Sequence, residues 1–544
     1  MNTIEFRDLP SVGGFSDLFN DYISDFQKVQ NFYELDFHSP ENFKLRCEAV
    51  RQEFQNRESI CNILLNQNRD FGCGENTFVN INRLQEENTF AVVTGQQVGI
   101  IGGPLYTLYK IFTLLKLTHQ LNDNYPEMKF VPVFWLESED HDFEEVNHVN
   151  IVNNENQIKP IHYPRPPKSE YHASVGDIAF DISVAAFIQE VSSTLPNSEF
   201  KENIIGLINQ AYSPGVTFEK AFVQWINLLL PNSGIIFISA NDKNIKKLLS
   251  GVFQKEINEY PLTSQLVIQK SAELEKNYHA QIKPRALNLF LFHKEGRYLI
   301  EPRDNDFSLK GTRKYFSKEE ILTIACETPE LLSPNVVLRP ICQDSILPTA
   351  AYIAGPSEIA YFAQLKQVYK NFGLTMPIIY PRASATIFED KVARILEKYE
   401  LTIENIYEGI EKTSDRVMNF VSEVKIEELF KESNQRVTDL LNEMKFGLGY
   451  IDQTLLGALE NTQLKIDAAI QLLKERTHTA QKHKHEVALR QVEKVFNNIF
   501  PNGNFQEREL NIINYLNKYG LEFHIWLMGE LQFENVEHQI IEIK

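Results

Sequence analysis

Three clusters of polar residues carry the chemistry that can be read from this sequence. Thr94-Gly95-Gln96-Gln97 closes a β-branched run, and further glycines, Gly99, Gly102 and Gly103, lead to Pro104. Two neutral amides offer donors and acceptors without a fixed charge, which suits a polyhydroxyl or amide ligand. Gly95, Gly99 and Gly102 would let the backbone approach such a ligand or a nucleotide closely, although a plain tight turn uses the same residues. The spacing matches neither common phosphate-loop pattern. The second cluster, Glu137-Ser138-Glu139-Asp140-His141-Asp142, follows the apolar run KFVPVFWL. Acids and a histidine there suit proton transfer or an ammonium group, with His141 and Asp142 as the candidate bases and Glu139 as a ligand for the amine. A solvated acidic helix start is the plain alternative. The third cluster spans Ser333 to Ser384: Arg339, Gln343, Asp344 and Ser345, then Glu358 and Tyr361, then Arg382 and Ser384. Arginines so placed can hold carboxylate or phosphate in a bidentate fashion, or form simple ion pairs.

These clusters need a scaffold that brings strand ends together. Phe90–Val93 reads as a buried strand, and Leu105, Leu108, Tyr109, Phe112 and Leu115 repeat at helical spacing behind Pro104. Lys129–Leu136, Gly234–Ala240, Ala350–Ala354 and Met376–Tyr380 are further apolar runs of strand length. Unbroken apolar strands between helices predict a parallel α/β sheet, whose ligands bind at the carboxyl ends of the strands. The fold class expected is therefore α/β, with a Rossmann-like core interrupted by insertions and followed by an α-helical coiled-coil domain.

The domains expected are a helical segment over 1–88, the core over 89–381 with insertions near 153–231 and 285–330, a helical arm over 382–502, and a small α/β tail over 503–544. In the arm, Leu441, Met444, Leu448, Ile451 and Leu455 follow 3-4 spacing, which resumes at Leu459, Ile466, Ile470 and Leu473. The tail shows a helical pattern near Glu507–Lys518 and strand-like runs at Leu521–Leu527 and His538–Ile543. Leu287–Ile300 reads as a hairpin turning at Glu295-Gly296.

The 544 residues hold 54 Lys and Arg against 73 Asp and Glu, a net charge of −19. That balance argues against nucleic acid and anionic membrane surfaces as partners. Five scattered cysteines without a C-x-x-C pair read as reduced thiols, and no metal site is expected. Cys73 invites a nucleophile reading, but a loop thiol is the simpler one. His478, His483 and His485 read as a solvated helix face. The N-terminus lacks a signal-peptide pattern, so a cytoplasmic protein is expected.

Four long segments, TGQQVGIIGGPLYTLYK, PVFWLESEDHDFEEVNH, LRPICQDSILPTAAYIAGPSEIAYFAQL and YPRASATIFE, resemble the bacillithiol-biosynthesis cysteine ligase family, BshC. The resemblance runs along essentially the whole chain, with the helical arm in place. It implies a core related to class I aminoacyl-tRNA synthetase-type ligases, two connecting insertions, and a coiled coil that pairs two subunits into a homodimer. It also implies amide formation between L-cysteine and glucosaminyl-malate, the last step of bacillithiol synthesis. Gln96, Gln97 and the Glu137–Asp142 acids would then read hydroxyls and amine, and Arg339 and Arg382 carboxylates. ATP or another activating nucleotide is expected, because an amide does not form spontaneously from a free carboxylate in water. The His-x-Gly-His and Lys-Met-Ser-Lys-Ser motifs of the wider ligase group are absent. Two other classes remain open from sequence: a nucleotide- or sugar-binding transferase using the same pocket, and a non-catalytic scaffold of the thiol pathway.

Overall fold

A computed structural model describes residues 2–10, 15–54, 57–164, 174–284, 287–294, 296–303 and 306–543. The chain divides into two compact units, Met1–Ile387 with Asn504–Ile541, and Phe388–Gly503 with Glu542–Lys544.

The first unit is built on five parallel strands: β1 (Thr89–Gln97), β2 (Lys129–Glu137), β3 (Ile236–Ser239), β4 (Thr349–Ala354) and β5 (Ile378–Pro381). Their order is β5-β4-β1-β2-β3, all pairs parallel. Strand order reverses direction beside β1, so the crevice between the carboxyl ends of β1 and β4 is the topological switch point, where such sheets bind ligands. The Rossmann-like, parallel character expected from the unbroken apolar runs is present: both faces of β1 and β2 are buried over nearly their whole length.

Several boundaries differ from the sequence reading. β1 continues through Gln97, pairing Gln96 with Leu136 and Gln97 with Glu137, so the two glutamines end a strand rather than form a loop. Gly95 permits this, because a Cβ there would stand 3.1 Å from the Trp135 carbonyl. Behind β1, helix α1 (Leu105–Asn124) has Pro104 as its N-cap residue and buries side chains over most of its circumference. Past β3 the chain forms α2 (Lys243–Glu259) and a second helix, Leu262–Leu274. Pro261 stands between them, and a proline lacks the N–H a continuous helix needs. Two helices flank β4, α3 (Arg339–Ile346) before it and α4 (Pro356–Phe362) after it.

The segment 153–231 carries three helices, Ser183–Thr194, Lys201–Ala211 and Phe218–Leu229. The hairpin pairs Leu289–His293 with Gly296–Arg303 and belongs to a five-stranded antiparallel sheet. Glu295 of its expected turn lies outside the described residues. In the tail, Phe523–Glu530 is a helix where a strand was expected at Leu521–Leu527, whereas His538–Ile543 is a strand. A short apolar run does not by itself distinguish the two states.

The second unit contains two long helices, α5 (Ile426–Ile451) and α6 (Leu455–Lys484), packed on each other. They run antiparallel: Glu427 pairs with Lys474 at 2.7 Å, and the Gln481 amide donates to the Val424 carbonyl at 3.2 Å. The 3-4 run expected from Leu441 to Leu455 is broken at Asp452, whose carboxylate accepts from the Thr454 backbone N–H and hydroxyl, both at 2.8 Å. That local bond turns the chain, and the 3-4 spacing carries no sign of it.

Candidate functional site

A cavity of about 590 Å³ lies in the first unit at the switch point. β1 supplies Gly95, Gln96 and Gln97, β2 and its continuation supply Glu137, Glu139, Asp140 and His141, and the β4–α4 junction supplies Gly355, Glu358 and Tyr361. Arg339 comes from α3, Lys110 and Tyr106 from α1, Arg297 from the hairpin, and Arg382 and Arg508 from beyond β5 and from the tail. The three polar clusters of the sequence thus face one crevice.

Its inner wall is an alternating chain of charges. Lys110, 3% exposed, reaches back from the second turn of α1 to donate to the Gly95 carbonyl at 2.8 Å and to the Gln96 side-chain oxygen at 3.1 Å. Its ammonium also meets Glu358 Oε2 at 2.5 Å. Gln96, with its oxygen held, donates to the Tyr106 hydroxyl at 3.0 Å. Glu358 further accepts from the Gly355 N–H and the Tyr352 hydroxyl, each at 2.7 Å. Burial works against its charge, yet Lys110 and these donors hold the Glu358 carboxyl below the usual glutamate range. Burial pulls the Lys110 ammonium below the ordinary lysine value, with Glu358 opposing.

Arg339 organises the next stretch. Its Nε lies 3.1 Å from Glu137 Oε1, and its two terminal nitrogens donate to Gln343, Tyr352 and Tyr361 at 3.0–3.3 Å. Burial pushes the Glu137 carboxyl up to about 7, with Arg339 pulling it down. Asp140 behaves oppositely: the His141 side chain beside it is the largest influence, and Arg297 and Gln97 add to it, holding the carboxyl well below the usual aspartate range. Asp140 accepts from Gln97 at 3.1 Å and from the His141 backbone N–H at 2.7 Å, and Arg297 stands 3.6 Å away. Glu139 is bound to Lys246, which is wholly buried on α2. Arg382 faces the Tyr106 ring and pairs with Glu507 at 2.6 Å. Guanidiniums and carboxylates interleaved in this way can orient a zwitterionic ligand and carry a proton to or from it.

Of the residues singled out in the sequence, Gly95, Gln96, Gln97, Glu137, Glu139, Asp140, His141, Arg339, Glu358, Tyr361 and Arg382 line the cavity. Among those that do not are five expected to bind or react. Asp142 is exposed beyond the end of β2. Asp344 is 4% exposed in the core, accepting from the Gln343 amide at 2.9 Å and the Tyr369 hydroxyl at 2.5 Å. Ser384 is buried and donates to Glu507 at 2.8 Å. Gly99 and Gly102 sit in a turn packed on its own chain: a Cβ at Gly99 would stand 2.9 Å from Gly103 Cα, and one at Gly102, whose φ is +81°, 2.9 Å from the Trp225 ring. Their glycines serve a tight, buried turn rather than a backbone cradle. Lys110, Tyr106, Arg297 and Arg508 line the cavity as well and are not among the residues singled out in the sequence. Lys110 had a signal, a charge among the mostly apolar residues that open α1. None of the five cysteines lines the cavity, and among the described residues no group of three or more His, Cys, Asp or Glu stands together as a metal-ligand set. No helix among them is long and apolar enough to cross a membrane.

A family profile described as "Bacillithiol biosynthesis BshC, N-terminal Rossmann-like domain" matches residues 1–383, and its companion "C-terminal coiled-coil domain" matches residues 385–543. Relatives named "Putative cysteine ligase BshC" align along nearly the full chain. The one from Salinibacter ruber is 36% identical, over 98% of this chain and 97% of its own. The one from Chloroherpeton thalassium is 36% identical over 94% of each chain. The one from Bacillus cereus is 29% identical over 96% of this chain and 97% of its own.

Proposed function

The chain belongs to the BshC family of bacillithiol biosynthesis, and from that premise we propose that it is a cytoplasmic carbon–nitrogen ligase joining L-cysteine to the amine of glucosaminyl-malate. The observation that carries this reading is the cavity at the switch point, where carboxylates and guanidiniums from the ends of β2, β4 and β5, from α3, the hairpin and the tail converge. The acceptor would bring an amine, sugar hydroxyls and two malate carboxylates. Gln96 and Gln97 suit the hydroxyls, the β2-end acids suit the amine, and Arg297, Arg339 and Arg382 suit the carboxylates. Amide formation from a free carboxylate needs activation, so a nucleoside triphosphate such as ATP is the expected co-substrate. The arginines and Lys110 supply the positive charge its phosphates require, even though Gly99 and Gly102 are turned away from the cavity. Of the two residues expected from sequence to move a proton, His141 lines the cavity and Asp142 does not. The same reading takes the helical second unit as the surface through which two chains pair.

Thiol profiling of a strain lacking the gene tests the function. Accumulated glucosaminyl-malate with loss of bacillithiol is the expected result, and unchanged bacillithiol overturns it. Purified protein given cysteine, glucosaminyl-malate and a nucleoside triphosphate then separates ligase from scaffold, since a scaffold forms no amide. His141→Asn with turnover intact would remove His141 from the reaction.

A further inference from the structure

Among the described residues four carboxylates line the cavity, and three of them are already committed. Glu139 is bound to the buried Lys246. Asp140 is shared among Gln97, His141 and Arg297. Glu358 holds Lys110, the Gly355 N–H and the Tyr352 hydroxyl. Glu137 differs. It ends β2 with its side chain 30% exposed to the cavity, and Arg339 fixes Oε1 at 3.1 Å. Among the described residues its other oxygen, Oε2, carries no hydrogen bond. With Oε1 held by the guanidinium, this cavity-lining carboxylate keeps its second oxygen open to a donor.

We propose that Glu137 takes the proton from the incoming ammonium group, an inference that rests on the ligase reading. An amine arrives largely as R–NH3⁺ and cannot attack until a proton leaves. Glu137 Oε2 accepts that proton, and the freed nitrogen lone pair forms the N–C bond to the carbonyl carbon of cysteine activated by a nucleoside triphosphate as a mixed phosphoric anhydride. The carbonyl re-forms as the C–O bond to the phosphoryl group breaks, its electron pair leaving with the phosphate. The nitrogen's second proton passes to water, and Glu137 returns its own to solvent. Charge around Glu137 suits the role. Arg339, Lys110 and Arg297 face it as cations, Glu139 and Glu358 as anions, and the hydroxyls of Tyr352 and Tyr361 complete its surroundings. With its carboxyl pushed up to about 7 by burial, the group is poised to gain and lose a proton near neutrality.

The test compares two acceptors on purified full-length protein with cysteine and the nucleoside triphosphate. Glucosaminyl-malate must be deprotonated, whereas hydroxylamine is already unprotonated at neutral pH and yields cysteine hydroxamate. Glu137→Gln is expected to lower amide formation about 100-fold or more while hydroxamate forms at close to the parent rate, which also shows that the variant folds and activates cysteine. Equal loss with both acceptors, or no loss with either, overturns the assignment and leaves the ligase reading standing. A parent protein that forms neither product takes both down.

Discussion

Lys110 and Glu358 meet at 2.5 Å across the crevice between β1 and β4, each the other's principal counter-charge. The contact ties the second turn of α1 to the first turn of α4 and, through Gly95 and Gln96, to the end of β1. Removing one member strands the other. Lys110→Met is expected to cost about 3–5 kcal/mol, the usual penalty for an uncompensated buried charge. The double variant Lys110→Met with Glu358→Gln should cost less than the single one. Urea unfolding of the parent, both single variants and the double variant measures the coupling, and simple additivity would show that the contact contributes nothing.

His538 makes stability depend on acid. Its ring is fully buried, with Nδ1 2.8 Å from Ser384 Oγ and Nε2 2.9 Å from Thr386 Oγ1. Because Ser384 donates its own hydrogen to Glu507, its oxygen accepts from Nδ1–H, and Nε2 accepts from Thr386. Both nitrogens are thus satisfied in the neutral ring. Burial lowers the pKa to about 4, with Arg382 adding to the effect and Glu507 opposing it. The unfolded chain therefore binds the proton first. Stability is fully present above about pH 6.5 and is lost as the pH falls toward 4, at about 1.4 kcal/mol per unit. His538→Gln should flatten the unfolding free energy between pH 6.5 and 4.5, whatever it does to the absolute value.

Glu219 works in the other direction. It is 7% exposed in the first turn of the helix Phe218–Leu229, and among the described residues its Oε1 has no hydrogen-bond partner. Burial pushes the carboxyl up to about 8, and Asp177, Asp242 and Glu139 add to this while Ser239 opposes it. The folded chain then holds the proton that the unfolded chain gives up. Stability from this group is complete below about pH 4.5 and declines as the pH rises through 8. Glu219→Gln should raise the melting temperature at pH 8.5 and leave it nearly unchanged at pH 5. An equal shift at both values would mean that the carboxyl does not titrate there.

The parts of this fold that could be read from sequence are those that local patterning determines. β1, β2 and α1 are buried on nearly every side, so their apolar runs are long and unbroken, and Gln96, Gln97, Glu139 and His141 were found because they stand where those runs stop. The partners of these residues could not be read so. That Lys110 faces Glu358, or that Arg297 on the hairpin faces Asp140, follows from the order β5-β4-β1-β2-β3, which no local spacing encodes. Ser384 shows the converse. It sits at a strand end as a ligand-binding residue would, yet Glu507 and His538 from the tail enclose it. Composition near a strand end indicates polarity, and only the tertiary fold decides whether the polar group meets a ligand or another side chain.

Pairing through the second unit is open to direct test. Phe446 and Tyr450 near the end of α5 are 87% and 97% exposed, Ile451 follows at 77%, and Leu464 on α6 is 67% exposed. A helical hairpin that leaves large apolar side chains in water gains by covering them, at about 1.5–3 kcal/mol for each one fully buried. Replacing Phe446 and Tyr450 together by glutamate should therefore cost at least about 3 kcal/mol of association, more than 100-fold in Kd. Sedimentation of the full chain at micromolar concentration is expected to show a dimer for the parent and a monomer for the double variant. Neither residue packs in the interior of its unit, so the unfolding temperature of the monomer should stay close to that of the parent once dissociation is allowed for. A parent protein already monomeric at that concentration would remove the pairing, while a variant that still dimerises would move it to another face of the helices.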